Sequence, residues 1–383
     1  MKAHLDNFDS DAFLQDYWQQ KPLLIRNALA NTEKLISPDE LAGLACEAEM
    51  ESRLVSYQQQ QWQLRHGPFN ADDFKQLPDS HWTLLVQAVD HAIPAVAQLM
   101  EYFRFIPNWR LDDIMVSYAT NGGSVGPHYD NYDVFLLQTR GKREWQLGQP
   151  CDQHSALLDH PELLLLANFE CQQRYEVEAG DMLYIPPGLS HWGTATDDNC
   201  ITCSIGFRAP AVGDIVAEFA NYMASASEAS KRFKDLKPKA QANPGEITAG
   251  VIEQLGELVT QAMDDPRALT AWFGEYMTQP KYEGETEIAI ETASSVQEKL
   301  HAGFAVSRDP ASRFAYSNHP QQILFFVNGI SYELDKKQLP LAQLLGGQAS
   351  FQASELLHWI KLADTQALLV ELFTRGYLFF DDD

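Results

Sequence analysis

Two short segments carry residue types that can hold a transition metal. The first is Gly122-Gly-Ser-Val-Gly-Pro-His-Tyr-Asp130, in which His128 and Asp130 stand two residues apart. On extended backbone that spacing sends both side chains off the same face. Sixty-one residues after Asp130, the segment Ala179-Gly-Asp-Met-Leu-Tyr-Ile-Pro-Pro-Gly-Leu-Ser-His191 ends on a third candidate ligand. It reads as a Gly-Asp turn, a short strand and a Pro-Pro-Gly turn that returns the chain to present His191. Two imidazoles and one carboxylate make a facial triad, which leaves three adjacent positions open on Fe(II) for a co-substrate and oxygen. One carboxylate also leaves the site at net +1, suited to a dianionic 2-oxo acid. Histidine ligates as the neutral base, so metal affinity should fall below about pH 6.5. A His-x-Asp alone recurs by chance, and a lone histidine near a turn is usually a surface or satisfied core residue. The second segment lifts the metal reading above those alternatives. The other nine histidines have no such setting and read as structural.

Arg143 lies fifteen residues after His128, in Gly141-Lys-Arg-Glu-Trp145. On the next strand its guanidinium would suit the far carboxylate of a 2-oxo diacid through a bidentate pair, which an ammonium cannot make. Position alone favours a plainer reading, a surface arginine beside Lys142 and Glu144.

The elements that must position these residues are short strands. Ile114–Tyr118, Val134–Gln138, Trp145–Leu147, Arg174–Val177, Met182–Ile185 and Ile201–Phe207 are apolar runs separated by Gly, Pro, Asn and Asp, the texture of a β sandwich or barrel. Helices precede them at Asp11–Gln20, ending before Lys21-Pro22, and at Ser37–Ala48, opening on a Ser-Pro-Asp-Glu cap. From about 212 to 277 the period becomes helical, with Ile215, Phe219 and Met223 on one stripe and Val251, Leu255, Leu258 and Ala262 on another. Lys237–Glu246 reads as the loop between them and Glu283–Glu291 as an acidic linker. The last part holds a hairpin, Ile323–Val327 and Ile330–Leu334 joined by Asn328-Gly329, then two helical runs and a closing strand, Gly376–Phe380. A small winged-helix-like unit is expected there. The domain expectation is thus 1–210 catalytic, 211–298 helical and 299–383 winged-helix-like.

Composition narrows the function classes. Hydrophobic residues make up 45% and charged residues 21%, the balance of a globular protein. No stretch of eighteen apolar residues and no basic, apolar leader is present, so neither membrane span nor secretion signal is read and the cytoplasm is the expected location. The formal net charge of −25 disfavours nucleic acid and suits a basic partner. Residues 301–383 carry six lysines and arginines against nine acids, which argues against direct DNA binding by the winged unit. Of five cysteines only Cys200 and Cys203 form C-x-x-C, with no second pair to complete a zinc site. On a strand they face opposite ways, so both are expected to be small buried side chains.

At these residues the sequence resembles the JmjC family of 2-oxoglutarate oxygenases, from about Phe8 to Pro210. The resemblance begins with Tyr17-Trp-Gln-Gln-Lys-Pro-Leu-Leu-Ile25. Within the family it is most similar to the bacterial ribosomal oxygenases, through Ser37-Pro-Asp-Glu-Leu-Ala-Gly-Leu-Ala45, Gly126-Pro-His-Tyr-Asp-Asn-Tyr-Asp-Val-Phe135, Tyr184-Ile-Pro-Pro-Gly188 and Ser204-Ile-Gly-Phe-Arg-Ala-Pro210. The resemblance implies a double-stranded β-helix (jelly roll, cupin) fold, followed by a helical dimerisation region and a winged-helix part. It implies Fe(II), with 2-oxoglutarate and O2 as co-substrates, and an activity that hydroxylates an arginine of large-subunit ribosomal protein L-sixteen. By position it makes His128, Asp130 and His191 the iron ligands and Arg143 the holder of the 2-oxoglutarate tail. It adds Ser117 as a hydroxyl contact to that co-substrate. Lysine is common at position 143 elsewhere in the family, and Glu144 replaces a more typical basic residue. A substrate guanidinium needs an acidic or aromatic receptor, for which Asp112, Asp113, Tyr132 and Asp133 are candidates. A homodimer and a basic ribosomal protein are the expected partners.

Three rivals remain at this point. A cupin isomerase or binding protein usually has a second histidine where Asp130 stands and a glutamate further on; here no glutamate follows Asp130 before Glu144. An oxygenase acting on RNA, another protein or a small molecule would share the triad. A regulatory binding protein would more readily have lost a ligand.

Overall fold

The computed structural model describes residues 3–226, 232–234, 243–282 and 291–381. Residues 237–242 of the expected loop and 283–290 of the expected linker lie outside them. The described part divides into two compact units, one of residues 1–209, 282–312 and 349–383, the other of 210–281 and 313–348.

Eleven strands build the centre of the first unit: β1 (Leu23–Ile25), β2 (Ser52–Gln58), β3 (Gln61–His66), β4 (Trp82–Val86), β5 (Leu111–Ala119), β6 (Val134–Arg140), β7 (Lys142–Pro150), β8 (Gln173–Glu178), β9 (Met182–Ile185), β10 (Leu189–Ala195) and β11 (Cys200–Phe207). Eight form one antiparallel sheet in the order β1-β9-β6-β11-β5-β4-β2-β3, and β10-β7-β8 form a second. Each of the six runs expected as strands lies within one of them. The strands β2 to β4, which extend the large sheet on one side, were not singled out from sequence.

Alternation of side chains gives the large sheet two faces. Ile114 and Val116 of β5, Phe135 and Leu137 of β6, Met182 and Tyr184 of β9, and Ile201, Cys203, Ile205 and Phe207 of β11 point to one core, covered by Phe13, Leu41 and Phe103. Full burial of each large side chain there stabilises the fold by roughly 1.5–3 kcal/mol. The helices that supply this cover are shorter than expected. Ser10–Asp16 is capped by the Asp9 side chain and stops at Asp16, because the chain must turn before Lys21-Pro22. Pro38–Leu44 carries the expected capping box between Ser37 and Glu40.

The other face of the same strands is polar for a buried surface. Asp113 and Ser117 of β5, Gln138 of β6, and Thr202 and Ser204 of β11 alternate with the core residues and are buried. They look into the space between the two sheets.

Three more strands close the first unit. β12 (Val306–Arg308) pairs with both β16 (Ser350–Phe351) and β17 (Leu378–Phe380). The second unit holds the helices Val212–Ala226, Ala249–Met263, Pro266–Thr278 and Leu339–Gly347 with the sheet β13 (Phe314–Asn318), β14 (Ile323–Val327), β15 (Ile330–Leu334). The hairpin turns at Asn328-Gly329, both at positive φ. Its Phe326 presses on helix Pro266–Thr278 at Gly274, where a Cβ would stand 2.3 Å from the ring.

Candidate metal centre

His128 lies outside the regular strands, in the connection between β5 and β6. It pairs with His191 of β10 as a single antiparallel bridge. The His128 N–H donates to the His191 carbonyl at 3.1 Å, and the His191 N–H to the His128 carbonyl at 2.8 Å. Directly opposed residues of such a pair leave the same face, and the two imidazole centroids are 4.3 Å apart. The Gly188 N–H donates to the Asp130 carbonyl at 2.7 Å, continuing the register through the Pro-Pro-Gly turn. Asp130 Oδ2 comes to 3.6 Å from His191 Nε2. One ligand atom from each of the three residues lies within 4.8 Å of the others, the one such cluster among the described residues.

The tautomers are set by the backbone. Nδ1 of His128 is 3.0 Å from the Gly126 carbonyl, and Nδ1 of His191 is 3.0 Å from the Leu189 carbonyl. A carbonyl only accepts, so each Nδ1 carries the proton and each Nε2 keeps its lone pair for a metal. Gly126 adopts a φ of +83°, and a Cβ there would meet Leu165 at 2.7 Å. Burial, together with the neighbouring His128, pulls the His191 pKa down from 6.5 to about 4, against the opposing pull of Asp130. The ligand form is therefore the resting form at neutral pH. Ser124, unnoticed in the sequence, locks the connection onto β10: its hydroxyl donates to the Gly193 carbonyl at 2.7 Å and accepts from Trp192 Nε1 and Gly126 N–H.

Arg143 is buried on β7, not a surface residue. The pleat turns Lys142 and Glu144 outward, where they pair with Glu178 and Arg174 on β8, so Glu144 does not dilute the charge inside. Arg143 lies 5.5 Å from the centroid of the Trp145 ring, and that ring is 5.9 Å from His191. Gly193 makes room for it, since a Cβ there would stand 2.5 Å from the indole. Arg143 Nε donates to Cys200 Sγ at 3.4 Å, while its Nη2 is buried without a partner. A buried guanidinium N–H with nothing to bond is costly. The carboxylate tail of a 2-oxo diacid is a ligand that would satisfy it, and with two imidazoles and one carboxylate nearby the residues fit both a divalent metal and such an acid. Ser117 is buried on β5, opposite Thr202 of β11, on the same inner face.

The four expected substrate contacts separate. Tyr132 is exposed, and burial of its hydroxyl and the nearby Asp130, Asp113 and Asp112 carboxylates raise its pKa. Asp112 pairs with Arg208 at 3.1 Å. Asp113 is buried and accepts from Gln87 at 2.8 Å and Tyr282 at 3.2 Å. Asp133 has no exposed surface: it accepts from Tyr184 at 2.6 Å, Gln19 at 3.0 Å and Arg110 at 3.0 Å. It ties the turn after the first helix to the sheet, which leaves its carboxylate no surface to offer a substrate. The cysteines face opposite ways: Cys203 joins the outer core, where burial pushes its thiol up to about 12, and Cys200 faces the interior.

A JmjC domain model matches residues 98–215, and a ROXA-like winged-helix model matches 261–379. Over 373 residues, 96% of this chain and 97% of the other, the sequence is 41% identical to ribosomal protein uL16 3-hydroxylase of Escherichia coli strain K12. The chain belongs to the JmjC ribosomal oxygenases. Its structure is similar to that of E. coli ycfD, with a TM-score of 0.90 at 33% identity over 100% of both chains. The E. coli protein solved in complex with cobalt and 2-oxoglutarate matches at a TM-score of 0.87 and 32% identity, over 99% of each chain. A probable ribosomal oxygenase of Haemophilus influenzae is 39% identical over 213 residues, 55% of this chain and 52% of that protein. This JmjC ribosomal oxygenase thus has a cupin-type β domain, a helical region and a C-terminal winged-helix domain, as the sequence led us to expect.

Proposed function

We propose that the chain is an Fe(II)- and 2-oxoglutarate-dependent dioxygenase that hydroxylates an arginine side chain of large-subunit ribosomal protein uL16. The observation that carries this reading is the pairing of two features in one interior. One is the triad His128, Asp130 and His191; the other is the buried Arg143 with an unpartnered Nη2. The 41% identity to a uL16 3-hydroxylase supports the choice of substrate.

In this reading His128 and His191 offer Nε2 and Asp130 a carboxylate oxygen to the metal. Ferrous iron so held supplies the redox chemistry that divides O2 between the co-substrate, which leaves as succinate and CO2, and a substrate C–H bond. The protein's residues bind, orient and exclude. Arg143 takes the distal carboxylate in a charge-assisted bond, and Ser117 adds a hydroxyl. Trp145 and the apolar residues around it, Val134, Leu136, Leu183 and Ile185, keep the interior dry, which strengthens those bonds and limits uncoupled oxidation. Tyr132, exposed beside Asp130 with Asp112 near it, is the candidate receptor for the substrate guanidinium. The net charge of −25 favours encounter with a basic ribosomal protein.

Self-association as a homodimer is supported by the helix Ala249–Met263, in which no side chain is buried although Ile252, Leu255, Leu258 and Val259 are apolar. A ribosomal protein substrate fits a cytoplasmic enzyme. No described helix is long and apolar enough to cross a membrane.

The test loads the protein anaerobically with iron(II), then adds 2-oxoglutarate, air and peptides from basic ribosomal proteins. We expect one added oxygen on an arginine of a uL16 peptide by mass spectrometry, absent with His128→Ala. Succinate without any modified peptide would sink the uL16 assignment and keep the oxygenase. Neither product would sink both.

A further inference from the structure

Arg143 ends a flexible arm, yet its guanidinium is fixed in the interior from several sides. Nε donates to Cys200 Sγ at 3.4 Å, and Gln138 Nε2 donates to the same sulfur at 3.2 Å. The Thr202 hydroxyl donates to Gln138 Oε1 at 2.9 Å, and Gln138 Nε2 also reaches the Arg140 carbonyl at 2.6 Å. The Gln138 backbone is pinned in turn, its N–H to the Asp181 carbonyl and its carbonyl by the Gly180 N–H, both at 2.9 Å. All four side chains are buried, on three different strands. With Nε occupied on one edge and Trp145 against it, the guanidinium plane cannot roll freely. Nη2 is buried and unbonded.

The chemistry of the acceptor matters. A carboxylate at position 200 would take up the charge of Arg143, leaving less for a ligand. An aliphatic residue would leave Nε without a partner and free the plane to turn. The cysteine sulfur, a weak acceptor, orients the group through Nε and leaves Nη2 for a ligand. From this geometry we infer that Cys200, held by Gln138 and Thr202, is a positioning residue for Arg143. It thereby gives the co-substrate pocket its preference for 2-oxo diacids over 2-oxo monoacids. The inference rests on the proposed role of Arg143 in holding the co-substrate tail.

The test titrates the full-length protein, loaded with cobalt(II) without oxygen, with 2-oxoglutarate and with 2-oxopentanoate. The second acid keeps the carbon chain and lacks the distal carboxylate. We expect Cys200→Ala to weaken 2-oxoglutarate about tenfold, the scale of one hydrogen bond to a charged group. Binding of 2-oxopentanoate and of cobalt should stay within about twofold. Cys200→Ser, which restores an acceptor, should recover most of the loss, an effect that simple cavity filling would not produce. Thr202→Val removes only the anchor of Gln138; it should move the same ratio the same way by a smaller factor, and it decides the matter if Cys200→Ala does not fold. Equal weakening of both acids, or an unchanged ratio in the variants that fold, overturns the inference. Arg143→Ala tests the parent reading separately: if that variant keeps the diacid preference, Arg143 does not hold the tail, whatever Cys200 does.

Discussion

Acid should cost the metal-free protein stability through one residue, His191, over a window that its environment defines. In the unfolded chain the imidazole titrates near 6.5; in the fold, burial and the adjacent His128 hold it at about 4. Between those values the unfolded state binds a proton that the native state refuses, so stability rises with pH there and is lost as pH falls. The difference of about 2.5 units, at roughly 1.4 kcal/mol per unit, gives on the order of 3 kcal/mol by pH 4. The contribution is fully present above pH 6.5. The assay is urea unfolding of metal-stripped protein at several pH values across that window, compared with His191→Asn, which has no group to titrate at that position. Subtracting the variant removes the carboxylates and the other histidines common to both. We expect wild type to lose about 3 kcal/mol more than the variant on going from neutral pH to pH 4. Cobalt(II) should widen the gap, because metal and proton compete for the same Nε2. Parallel curves for wild type and variant would refute the argument, since His191 would then titrate alike in both states.

Three further outcomes are expected. Arg143→Lys keeps a cation but loses the Nε bond to Cys200 and the planar contact with Trp145; the KM for 2-oxoglutarate, read from succinate formation, should rise roughly tenfold or more with a smaller change in kcat. Asp133→Asn weakens a fully buried carboxylate held by Arg110, Tyr184 and Gln19, and should lower stability by up to about 3–5 kcal/mol while cobalt affinity stays unchanged; lost peptide hydroxylation with an unaltered melting temperature would instead return Asp133 to the substrate. Leu258→Glu puts a charge into the exposed apolar stripe of Ala249–Met263, and light scattering should show a fall from dimer to monomer mass. An unchanged mass would remove that stripe from the interface.

The triad was legible because its geometry is local. His128 and Asp130 need only two-residue spacing, and the turn before His191 announces itself through Pro-Pro-Gly. What spacing alone did not convey is that His128 sits on no regular strand. A single bridge to His191 and the Ser124 bonds supply the alignment that a longer ladder would have given. The boundaries of the first helix were overrun because Phe13 and Tyr17 do stack at helical spacing, 6.3 Å apart, although the helix itself stops at Asp16. The Tyr17 N–H still donates to the Phe13 carbonyl at 2.9 Å, so the last helical bond closes on the same pair and the chain turns just beyond it.

The co-substrate pocket was harder to read, and for a different reason. In Cys200-Ile-Thr-Cys-Ser-Ile-Gly-Phe207 the apolar residues at 201, 203, 205 and 207 declare a buried face, but Thr202 and Ser204 look like any polar residues on an exposed one. They are buried too, because a second sheet closes over them. Only cross-strand neighbours tell the two cases apart, and those come from β6 and β7, some sixty residues away in sequence. The same holds for Arg143, which its neighbours Lys142 and Glu144 disguise as a surface residue while the pleat carries it inward. A strand that buries both faces yet alternates apolar with small polar residues is therefore the signal to seek. Polar groups that must find partners inside a protein are there to hold one another or to hold a ligand. In this interior Thr202, Gln138 and Cys200 do the first, and the buried Nη2 of Arg143 that they leave unbonded is where a ligand must do the second.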